Sequence, residues 1–147
     1  MQAISHPNLQ RLYEYWLARR GGRSMPSRGD LDALDMTFVI GNIILVDVIA
    51  GSPPGFRIRL HGTNLVERAG YELTGKMLDE LPQTEFRDLA RRSFTKVVNT
   101  AQPLHAANDR MIDGKVRHYE TVMLPLSDDG VAVDRLLIGL IYADGKS

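Results

Sequence analysis

Cysteine is missing from all 147 residues, which removes disulfides, thiolate metal sites, iron–sulfur clusters and cysteine nucleophiles in one step. No apolar run approaches the roughly 18 residues of a spanning helix, and Met1 to Pro7 has neither the basic start nor the apolar stretch of an export signal. An excess of one charge is lacking too. The 18 Lys and Arg stand against 18 Asp and Glu, so no net field draws the chain to nucleic acid or to an anionic membrane. No phosphate loop, nucleophile elbow or dinucleotide fingerprint is present, and Gly139 stands alone in its run. These absences lead us to expect a cytoplasmic protein that is not an enzyme and has no nucleic-acid or membrane partner. What remains is ordinary globular composition, 44% hydrophobic and 24% charged, enough for a single core.

The first predicted element is an amphipathic helix from about Pro7 to Arg20, where Leu9, Leu12, Tyr13, Trp16 and Leu17 recur at helical spacing. Pro7 suits its first turn and Gly21-Gly22 its end. Arg19, Arg20 and Arg23 beside those glycines read as a solvated helix end. A polar connector, Arg23 to Asp35, follows, with one short helical turn expected around Asp30 to Leu34. We therefore divide the chain into an N-terminal helix and connector, 1–35, and a core domain, 36–147. Ile43 to Ala50 and Phe56 to His61 read as a hairpin, the first inside a sheet and the second nearer an edge. Short helices are expected from Gly62 to Leu81, and a long one from about Thr84 to Ala101. Three strands complete the chain: Leu104 to Ile112, Val116 to Leu126 and Val133 to Ala143. Asp113-Gly114 between the first two signals a two-residue hairpin turn, which would set residues whose numbers sum to 227 opposite one another. Leu136 to Tyr142 is the most apolar run and is assigned to the sheet centre. The result is an α+β fold with a five-stranded antiparallel sheet.

This order resembles the PAS fold: short helices and one long helix on one face of the sheet, here preceded by an N-terminal amphipathic helix. Arg59-Leu60-His61-Gly62-Thr63 and Gly70-Tyr71-Glu72-Leu73-Thr74-Gly75-Lys76 resemble the exit of PAS sequences from their second strand. Leu124 to Gly130 resembles the turn between their last two strands. Tyr15-Trp16, Arg20-Gly21-Gly22-Arg23 and Asp30-Leu31-Asp32-Ala33-Leu34-Asp35 are similar to a bacterial single-domain PAS subfamily. The chain departs from it in having Met36, Thr37 and Gly41 where its members tend to carry prolines.

The resemblance implies a sensory or interaction domain with a cavity between long helix and sheet for a small molecule of unknown identity, a homodimer, and a separate signalling protein as partner. Because the last strand lies near the end of the sequence, output is expected to pass by association. Adduct-forming flavin and thioester chromophores are disfavoured for want of cysteine, and haem for want of a histidine in Thr84 to Ala101. No metal site is expected: the hairpin register sets His118 opposite Asp109 and His105 opposite Val122, with a His–Asp contact the simpler reading. Ligand contacts are assigned to Tyr71, Phe94 and Val97 as apolar wall and to Arg59 with Glu120 as polar end, an ion pair being the simpler alternative. Leu9, Leu12, Tyr13, Trp16 and Leu17 are assigned to a dimer interface with Trp16 as anchor. Two alternatives stand beside this reading: a docking module with a filled core, and a small α+β cone enzyme moving protons through Glu120, His118 and Tyr71.

Overall fold

Asp113 and Gly114 hold φ of 50° and 74° in the computed structural model, the double left-handed backbone of a type I′ turn. That turn fixes the register of the hairpin it closes. Leu104–Ile112 (β3) pairs with Lys115–Leu126 (β4) so that His118 faces Asp109 and His105 faces Val122, as the numbering rule expects. The structure describes residues 3–143.

The helices are α1 (Pro7–Arg20), α2 (Thr63–Ala69) and α3 (Thr84–Thr100), and the remaining strands are β1 (Ile43–Ile49), β2 (Gly55–His61) and β5 (Arg135–Tyr142). All neighbours are antiparallel, in the order β2-β1-β5-β4-β3. The most apolar strand, β5, therefore takes the centre, with β1 inside the sheet and β2 at its edge. No helix among the described residues is long and apolar enough to cross a membrane.

Each face of this sheet carries helices. On the outer face α1 buries Leu9, Leu12 and Trp16, and Gly139 of β5 explains how closely it sits. A Cβ there would lie 2.7 Å from a Leu9 methyl and 2.9 Å from a Leu12 methyl, so only glycine lets the two leucines rest on the backbone. The Trp16 indole N–H donates to the Pro125 carbonyl at 2.9 Å. Proline is tolerated at that point in β4 because β3 has already ended at Leu104, opposite Met123, so no ladder donor is lost on that side. On the inner face α3 buries Phe94 and Val97.

The connector is more ordered than a solvated linker. Arg23 donates back to the carbonyls of Arg19 and Arg20 and pairs with Asp30 at 2.8 Å, while Arg19 donates to the Asp30 carbonyl. Tyr15 bridges Asp35 and the Asp32 amide. The Arg-Gly-Gly-Arg and Asp-rich motifs are thus two halves of one clamp, and the basic run is not merely a solvated helix end. Two 3-10 turns, Arg28–Asp30 and Ala33–Met36, replace the single turn expected around Asp30 to Leu34. Met25, Leu31 and Met36 enter the same core as Trp16 and the sheet.

Candidate functional site

Side chains alternate along β4. Tyr119, Thr121 and Met123 point inward and line a cavity beneath α3, while Glu120 points to the opposite face. The cavity measures about 60 Å³ and is walled mainly by apolar groups of β1, β2, β5, α2, α3 and the Tyr71–Leu81 segment. Its polar groups are few. They are His61, Tyr71, Ser93, Asn108, Arg110, Tyr119, Thr121 and Tyr142, with no carboxylate among them.

Arg110 of β3 dominates this set. It is only 9% exposed, and its neighbours are neutral: Gln83 Oε1 accepts from Nε at 2.7 Å, the Tyr142 hydroxyl from Nη1 at 3.2 Å and the Tyr71 hydroxyl from Nη2 at 2.6 Å. The guanidinium also stacks 3.8 Å from the centre of the Phe86 ring. Arg110 borders two surface clefts besides the cavity, one shared with α3 and one with Tyr71, Pro82 and Gln83. It therefore stands at the boundary between interior and solvent.

His61 closes the same end of the cavity. Burial lowers its pKa from 6.5, Glu72 opposes that shift, and the field of Arg110 adds to it, so the ring is neutral at pH 7. Nδ1 accepts the Leu73 N–H at 3.2 Å, which leaves the ring proton on Nε2. The Tyr119 phenol is pushed up to about 12, first by burial and then by Tyr142, and stays protonated.

Several expected site residues lie elsewhere. Tyr71 and Phe94 line the cavity, Phe94 with its edge against Phe56; Val97 is fully buried in the core but does not border the cavity. Arg59 and Glu120 are not the polar end. Arg59 pairs with Asp47 at 2.8 Å and is largely exposed. Glu120 accepts the amides of Ser5 and His6 at 2.7 and 2.9 Å, and His105 Nε2 at 2.5 Å. Burial alone would raise the Glu120 pKa, but the Ser5 amide, His105 and the His6 amide together hold it below the ordinary 4.5. The proton-transfer trio does not converge either, since His118 is exposed beside Asp109 and Glu120 is on the other face from Tyr71.

The residues assigned to a dimer interface divide into two groups. Leu9, Leu12 and Trp16 are covered by the chain's own sheet, because the face of β5 and β4 opposite the cavity is itself apolar and needs a lid. Tyr13 and Leu17 pack only partly against the core.

A five-stranded antiparallel sheet with helices gathered over a small cavity is the α+β arrangement of the PAS fold. The chain belongs to the PAS domain family, whose model matches residues 4–142. Solved structures agree in fold. The PAS domain of BvgS from Bordetella pertussis is similar at a TM-score of 0.56 and 20% identity, over 76% of this chain and 86% of that one. The LOV protein of Rhodobacter sphaeroides is similar at 0.53 and 17%, over 94% and 70%. No curated protein sequence matches.

Proposed function

We propose that this domain is a cytoplasmic, non-catalytic sensor that holds a small molecule in the cavity beneath α3 and passes its signal on by association. The observation that carries this reading is the cavity itself, an unfilled space in an otherwise close-packed core with a buried cation at its edge. Its volume, about 60 Å³, holds about four to six water-sized groups. That favours an occupant of few atoms over a flavin or a haem. Association with a second copy would use the exposed side of α1, around Tyr13 and Leu17, because the rest of its apolar stripe is already covered.

Native mass spectrometry of protein purified from its own source tests the reading. A bound small mass, lost on mild activation, is expected. Bare protein, together with a Met123 methyl signal that no small molecule shifts, would favour a docking module with a filled core.

A further inference from the structure

Arginine has five N–H donors and keeps its charge at every pH a cell reaches. In Arg110 three of these donors meet neutral oxygens, from Gln83, Tyr142 and Tyr71. One N–H remains on each terminal nitrogen, and no carboxylate among the described residues pairs with the guanidinium. A buried charge without a counter-ion is unfavourable, and neutral acceptors with a ring face offset only part of its desolvation.

The cleft on the α3 side of Arg110 carries Glu85, Asp88 and Asp109, but on the cavity side two of its neighbours offer donors. His61 presents a ring N–H, since its other nitrogen is occupied by the Leu73 amide. The Tyr71 hydroxyl already accepts from Arg110, so its own proton is free to be donated. Two N–H groups on one planar fork match the two oxygens of a carboxylate. Away from this corner the wall is mainly apolar, with Ile58, Leu78, Phe94, Met123 and Leu140 outweighing the neutral Ser93, Asn108 and Thr121. One positive charge and no second one fit a monoanion better than a phosphate dianion.

We propose, resting on the cavity reading above, that the occupant is a short-chain monocarboxylate whose carboxylate is held by Arg110, His61 and Tyr71 and whose apolar tail lies under α3. Entry runs past Arg110, which borders the surface clefts as well as the cavity.

The test is calorimetric titration of the full chain, in a buffer poor in small anions, with acetate, propionate and pyruvate. Propionamide serves as the neutral isostere, and chloride and phosphate as inorganic anions; the Met123 methyl resonance reports cavity occupancy. Carboxylates are expected to bind roughly tenfold or more tightly than propionamide, the effect of losing a charge-assisted hydrogen bond. Arg110→Gln should remove that preference while leaving weak propionamide binding in place. Tyr71→Phe keeps the ring in the wall and should weaken carboxylates alone by a few-fold, which preserves the test should Arg110→Gln not fold. Equal binding of propionamide and propionate, with the Met123 signal shifted by both, overturns the anion assignment while the sensor reading stands. An equal response to chloride or phosphate also overturns it. Silence of the whole panel overturns it too, and the mass measurement then decides the sensor reading separately.

Discussion

On its outer face the sheet meets α1 with Leu9, Leu12 and Trp16 at 1% exposure or less, and there is no room even for a Cβ on Gly139. On its inner face α3 and the segments before it leave a cavity of about 60 Å³ with a guanidinium at its edge. The same strands serve both sides, so the difference does not come from the sheet. It comes from what is laid on it: one helix seated directly on backbone, against several short pieces whose glycine-punctuated path arches over the strands. Close packing on one face supplies stability, and incomplete packing on the other supplies a place for something else.

If that division is right, substitutions on the two faces should differ sharply in cost. Trp16→Ala should be the most damaging, by about 3–5 kcal/mol, since it empties the outer face and orphans the Pro125 carbonyl; urea unfolding measures it, and a loss below about 1 kcal/mol would mean α1 is not structural. Gly139→Val should cost roughly 1–3 kcal/mol although valine favours strands, because the new methyls displace Leu9 and Leu12. A thermal midpoint equal to that of the parent would show that α1 can slide aside.

Glu120, which holds the Ser5 and His6 amides, sharpens the comparison through pH. Its carboxyl titrates below 4.5 in the folded chain, so its contribution is complete above the unfolded value and is lost as pH falls through the folded one. The stability gap between the parent and Glu120→Gln should be about 1–2 kcal/mol at neutral pH and should close in acid. A gap that is constant down to pH 3 would remove the carboxylate from the account. Arg110→Met on the inner face should change stability least, by less than about 1 kcal/mol in either direction, because it exchanges an uncompensated charge for apolar volume. A large loss would make Arg110 a structural hub rather than a site.

These contrasts also show what could be read without coordinates. The Asp113-Gly114 turn, the hairpin register and the central place of β5 were legible because each rests on a local rule. The face on which β4 residues lie was not. Tyr119 to Leu126 are all buried or nearly so, since helices cover both sides, and alternation loses its meaning when neither face is wet. The sequence pattern therefore points Glu120 into the cavity, whereas it lies on the outer face against Ser5, His6 and His105, and it gives Arg110 no prominence. One signal was available: the register sets Arg110 opposite Arg117, a like-charge pair that strands avoid without cause. Arg59 misled for a simpler reason, as its nearer partner Asp47 sits across a bulge between β1 and β2.

Tyr119 and Thr121 belong to the cavity wall, and Glu120, between them on the same backbone, holds the amides of Ser5 and His6 on the far side. A pleated strand cannot tilt at one residue and stay still at the next. An occupant that shifts Tyr119 or Thr121 thus changes the hold on the leading end of α1, and thermodynamic reciprocity makes the exchange two-way. Were the proposed occupant to shift these residues, whatever pulls on or shelters that end would alter its affinity by the same factor, and a partner of the N-terminal helix would tune the concentration at which the cavity fills.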